Sequence, residues 1–193
     1  MIDRYALPRM SAIWSQHHKY ELWLHVELVV CEILEQKGQV PKGVAERIRR
    51  KARIKPERIA KLEQTVKHDI IAFLDSIAEQ VGDEARHLHA GLTSSDILDT
   101  ALALQTTEAV KIIFDDIDAL LAVLKRHAYD HRDTIMVGRS HGIHGEPISF
   151  GLKFALWYDE FCRQRERLVV ARDDMAVGKL SGAMGTFAHL RQR

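Results

Sequence analysis

Two cysteines in 193 residues, Cys31 and Cys162, are too few and too far apart for a disulfide scaffold. Both fall inside apolar helical patterns and read as reduced core thiols. An excess of one charge is also missing. Lys and Arg number 28 against 27 Asp and Glu, a formal net charge of +1, so no global field favours nucleic acid or a membrane surface. No stretch approaches the roughly 20 uninterrupted apolar residues of a membrane helix. The opening "MIDRYALPRM" carries charge early and lacks the apolar run of a signal peptide. There is no CxxC, HExxH, P-loop or GxGxxG. Those absences speak against common zinc sites and exclude glycine-rich nucleotide folds. The expectation is a soluble, cytoplasmic protein with no metal or cofactor, and with neither nucleic acid nor membrane as partner.

What is present is helix. Hydrophobic residues make up 46%, enough for a real core, and no segment shows convincing strand alternation. Ser11 caps an expected helix towards Gly38, with Trp14, Leu22, Val26, Val29, Ile33 and Leu34 as its apolar stripe. Pro41 suits the first turn of a helix through Lys51, and Pro56 opens another. "DIIAFLDSIAEQV" gives a strong helix from Asp69 to Val81, closed by Gly82. Thr93, Ser94 and Ser95 are caps for the next helix, with Asp96 at the capping-box spacing from Thr93. That helix runs without proline or glycine to Tyr129. A second long one spans Pro147 to Val177, interrupted only by Gly151. Two long helices joined by an irregular connection should pack antiparallel, as part of a rod-like bundle. The expected class is therefore all-α. A soft boundary separates an N-terminal helical domain, 1–109, from the start of a long-helix bundle, 110–193. Two helices leave apolar faces uncovered, which predicts a homo-oligomer, a truncated chain, or both. The closing "SGAMGTFAHLRQR" reads as a connection to something further on.

Four segments concentrate reactive side chains: Arg4 and Tyr5; Lys67, His68 and Asp69; His89 through Asp96; and "GRSHGIHGEP" around His141. Each has a plain reading, as an N-terminal arm, a helix start, a cap and a loop histidine. Taken together they suit a small ligand with several carboxylates or a phosphate. The N–H groups after Thr93 form an anion site, with the Thr93 and Ser94 hydroxyls adding donors. Arg4, Lys67 and Arg139 supply charge. His68, His89 and His141 supply donors that also move protons, and Gly138, Gly142 and Gly145 let a ligand approach the backbone. His141-x-x-His144 and His87-x-His89 have spacings zinc uses, but HxxH alone is a weak signal.

"MIDRYALPRMSAIW", "KHDIIAF", "HAGLTSSDILDTA", "GRSHGIHGEPISFGLKFALW" and "GKLSGAMGTFA" together closely resemble the adenylosuccinate lyase family of the aspartase/fumarase superfamily. The resemblance runs the length of the chain. It implies an L-aspartase-like fold: an N-terminal helical domain, then long helices bundled across a homotetramer. It also implies elimination of fumarate from adenylosuccinate to give AMP, and from the succinylated aminoimidazole carboxamide ribonucleotide. By that resemblance His141 is the general acid and His68 binds substrate and assists it. Arg4, Tyr5, Lys67, Asp69, Thr93 and Ser94 grip the nucleotide, with His89 near its phosphate. The family's serine-base loop, resembling "SSAMPHKRNP", has no counterpart here, and "HLRQR" replaces the expected continuation. The chain then holds an acid without its base and is expected to be inactive alone. Two alternatives stay open: a non-catalytic helical oligomerisation module, and another fumarate-releasing lyase such as argininosuccinate lyase or fumarase.

Overall fold

The computed structural model describes residues 2–188. The final "HLRQR", expected to replace a family continuation, lies outside the described residues. Among those described, seven α-helices and one two-stranded hairpin form two compact units, 1–106 with 176–193, and 107–175. The mostly helical class expected from periodicity is what is found. No helix among the described residues is long and apolar enough to cross a membrane.

The first unit contains α1 (Pro8–Ile13), α2 (Gln16–Gln36), α3 (Val44–Lys51), α4 (Pro56–Val66) and α5 (Asp69–Val81), plus short 3-10 turns at Asp3–Tyr5 and Gly82–His87. The single helix expected from Ser11 is interrupted. Trp14 leaves helical geometry, and Ser15 accepts the His18 N–H as the true cap of α2. Nor does Pro41 open α3. Gly43 precedes α3 in a left-handed conformation, and the capping oxygens come from elsewhere. Glu35 of α2 accepts the N–H groups of Gly43 and Ala45 at 2.9 and 2.7 Å. These backbone donors hold the Glu35 carboxyl below its ordinary range. The core is built on Tyr20, Trp23 and Phe73. Trp23 meets both other rings edge-on, and Tyr20 stacks on Phe73. Ile48, Ile59, Ile70, Ile77 and Ile97 close around them, all fully buried. Burial, with Glu35, Glu32 and Glu27 nearby, pushes the Cys31 thiol up to about 11, so this thiol stays protonated.

α6 (Ser94–Asp130) begins in the first unit and continues into the second. Its start obeys the capping box, because Asp96 accepts the Thr93 N–H at 3.0 Å. Asp96 does more than cap. Though only 1% exposed, it accepts from Lys179 Nζ at 2.6 Å and from the Ser181 and Gly182 N–H groups at 3.0 and 3.3 Å. Thr100 Oγ1 accepts the Lys179 N–H and donates to its carbonyl. The irregular Gly178–Phe187 stretch is thereby pinned to the first turns of α6.

In the second unit the rest of α6 pairs with α7 (Phe150–Met175). The pairing is antiparallel, as expected. His127 and His131 stack on Phe154, Asp118 accepts two bonds from Arg165, and Arg165 and Arg172 lie over Phe114. The connection expected to be irregular is a hairpin of β1 (Ile135–Ser140) and β2 (Ile143–Ser149). β2 absorbs Pro147, so α7 starts three residues later than the proline suggested.

Candidate functional site

The first unit assembles part of the expected constellation at the α4–α5 junction. Lys67 ends α4 in the left-handed region, φ 56, which turns the chain sharply into α5. His68 follows in an extended conformation as the residue before α5, and its side chain caps nothing. It is exposed. Its Nε2 lies 3.5 Å from Ser94 Oγ, the outer limit of a hydrogen bond, and its Nδ1 lies 3.4 Å from Asp69 Oδ1. The KHD segment and the start of α6, 26 residues apart in sequence, thus meet through His68 and Ser94. Asp69 accepts the Ile70 N–H at 2.7 Å, in the helix-start position where an anion is favoured.

Lys19 joins this group unannounced by the sequence motifs. Its ammonium sits 4.6 and 4.9 Å from the ring centres of Tyr20 and Trp23. Burial lowers the Lys19 pKa, opposed by the charges of Asp69 and Glu63. The same burial, with Glu63 and Asp69, raises the neighbouring Tyr20 hydroxyl. A lysine one position before a core tyrosine carries no pattern that marks it. Only the fold brings it towards KHD.

His89 is held differently. It adopts φ 59, and both its backbone N–H and its Nδ1 meet the carboxylate of Glu27, at 2.7 and 2.6 Å. Glu27 was missed in the sequence, although a signal exists. An acid four residues after Trp23 and four before Cys31 stands in a core register. The loop from His89 leads into Thr93 through Gly91. Arg4 and Tyr5 occupy the N-terminal 3-10 turn, with the guanidinium 4.7 Å from the ring centre and both side chains exposed.

His141 and Arg139 belong to the second unit, and Arg4, Tyr5, Lys67 to Asp69, His89, Thr93 and Ser94 to the first. His141 is the first of two residues linking Ser140 to Ile143, which face each other across the hairpin. His141 has φ 52 and Gly142 φ 78, the double positive φ that a tight hairpin of this twist demands. Histidine tolerates that region better than most side chains, and glycine is indifferent to it. The imidazole stands exposed at the apex, and Arg139 on β1 pairs with His144 on β2. The short turn fixes where the backbone carries the ring.

A family described simply as a lyase matches residues 4–193. The chain belongs to this lyase family. It is 48% identical over 190 residues to the adenylosuccinate lyase of Synechocystis sp., covering 98% of the chain and 44% of that protein. The adenylosuccinate lyase of Aquifex aeolicus is 47% identical over 193 residues, with the same coverage. Among solved structures, the 3-carboxy-cis,cis-muconate lactonizing enzyme of Pseudomonas putida matches 98% of the chain and 45% of its own length, at TM-score 0.89 and 29% identity. The chain therefore spans under half the length of the relatives it matches.

Proposed function

We propose that this lyase chain carries the proton-donating and substrate-gripping part of an adenylosuccinate lyase. The whole enzyme would release fumarate from adenylosuccinate to give AMP, and from the succinylated aminoimidazole carboxamide ribonucleotide. Its setting is cytoplasmic purine biosynthesis, with a homotetramer as the working assembly. The observation that carries the reading is the 48% identity to an adenylosuccinate lyase across nearly the whole chain.

The chemistry makes two demands. A proton must leave carbon beside a carboxylate, where developing negative charge needs fixed donors. The departing nitrogen must also receive a proton from a general acid. His141 is assigned the second task, and its exposed position at a constrained turn supports that. His68, with Ser94 and Asp69 in reach, orients substrate. Lys67, Arg4, Tyr5 and Thr93 grip its anionic groups, and His89 meets the phosphate. The serine base is supplied by sequence that this chain does not contain.

The purified 193-residue chain should convert no adenylosuccinate to AMP and fumarate, and measurable turnover would contradict the division of labour. In a full-length enzyme bearing this segment, His141→Ala should lower kcat by about 10²- to 10⁴-fold; near-normal turnover removes the acid role. The uncovered apolar side chains of the second unit favour a second reading, a helical association module without chemistry. A discrete oligomer of the chain in solution, with no nucleotide binding, would select it.

A further inference from the structure

Glu27 lies on the buried face of α2, its side chain 0% exposed, where an apolar residue would fold at lower cost. Its two oxygens serve one partner. Oε2 accepts the His89 N–H at 2.7 Å and Oε1 meets His89 Nδ1 at 2.6 Å. The same residue carries a left-handed backbone, φ 59, an uncommon conformation that the carboxylate helps to hold. Glu27 thus clamps main chain and ring together. His89 keeps part of its side chain exposed, 20%, and among the described residues its Nε2 makes no hydrogen bond.

We propose that Glu27 is a positioning residue for His89, holding the ring proton on Nδ1 and leaving Nε2 as the atom that meets ligand. A carboxylate offers only acceptors, so the nitrogen facing it must carry the hydrogen. The neutral ring then has its lone pair on Nε2. An anionic oxygen at Nε2 is met by the doubly protonated ring, whose charge Glu27 offsets from behind. The proposal rests on the reading of His89 as a substrate-facing residue, but its central claim concerns the ring itself.

Glu27→Gln separates positioning from packing. Glutamine keeps the shape but has one acceptor oxygen. Among the described residues the His89 backbone N–H has no other acceptor, so it takes that oxygen and turns the amide NH2 towards Nδ1. Nδ1 must then accept, and the proton moves to Nε2. Side-chain ¹⁵N shifts of the chain report the tautomer of the neutral ring directly. Expected are Nδ1–H in the native chain and Nε2–H in Glu27→Gln. In a full-length enzyme bearing this segment, Glu27→Gln should raise KM for adenylosuccinate about tenfold or more, with a smaller change in kcat. In a His89→Asn background the same change should add little further. An Nε2–H tautomer in the native chain overturns the proposal, as does an unchanged tautomer in the variant or an equal KM penalty with and without His89. If Glu27→Gln fails to fold, the native tautomer alone decides. A full-length enzyme inert towards adenylosuccinate would sink the functional reading instead, while the tautomer still judges Glu27.

Discussion

The two units solve the burial problem in opposite ways. The first encloses Trp23, Phe73 and five isoleucines at 2% exposure or less, and it fastens its loops with buried carboxylates. The second is a helix pair and a hairpin in which many larger apolar side chains face outward, among them Leu152, Leu156, Trp157 and Val170. Between its helices lie histidine–phenylalanine stacks, cations over Phe114 and the exposed Asp118–Arg165 pair. The first unit therefore has the means to hold the residues proposed to bind substrate without help from the second. The second presents His141 on a structure that leaves much apolar surface for something else to cover.

The contrast breaks most readily by deleting equivalent volumes. Phe73→Ala, at a fully buried site, should destabilise the first unit by about 3–5 kcal/mol. Leu156→Ala, at a site 57% exposed, should change the stability of the isolated chain by less than about 1 kcal/mol. Denaturant melts of both variants measure this. A Leu156→Ala penalty near that of Phe73→Ala would mean the outer face of α7 is covered in solution, and the contrast would belong to the isolated chain only.

A smaller effect tests a tight point of the second unit. Gly151 begins α7 against the end of α6, where an added Cβ would stand 2.4 Å from the Ala128 carbonyl oxygen and 2.8 Å from Arg132 Cα. These obstacles are backbone and cannot swing aside. Gly151→Ala should cost about 3 kcal/mol, the upper end for overpacking, and should loosen the base of the hairpin. Hydrogen exchange of the Phe150 and Gly151 amides, which donate to Thr134 and His131 carbonyls at 2.8 Å, reads it locally. Unchanged protection would show that the junction has slack.

What the sequence disclosed follows from the range of the forces involved. Helix starts at Pro56, Asp69 and Ser94 are written locally, in caps and proline, and were legible. The His68–Ser94 approach was foreseen only as a grouping of segments, since no local signal brings residues 26 apart together. The hairpin was missed because Pro147 and the glycines broke its alternation, and His-Gly is not among the usual turn pairs. Glu35 capping α3, Glu27 clamping His89 and Asp96 anchoring Lys179 share one cause. Each carboxylate acts across a distance in sequence that pattern reading does not span. Whether His141 and the first-unit residues serve one substrate is a question the motifs raise, and kinetics on variants answers it.

The smallest effect concerns Asp96, the buried carboxylate that anchors the Gly178–Phe187 stretch. Burial works to raise the Asp96 carboxyl, but the Lys179 ammonium and the Ser181 and Thr93 N–H groups outweigh it and hold the group below its ordinary value. A carboxyl depressed in the folded state adds stability in full above its unfolded value, and that contribution drains as pH falls through the folded one. The Gly178–Phe187 stretch should therefore loosen in acid, below about pH 4. Asp96→Asn should remove about 1.5 kcal/mol at neutral pH, the low end for a charged hydrogen bond because Lys179 keeps access to water. It should also flatten the acid dependence of amide protection at Lys179 and Ser181. Acid loosening that persists undiminished in Asp96→Asn would shift the anchor to another group and bring the two units closer in kind.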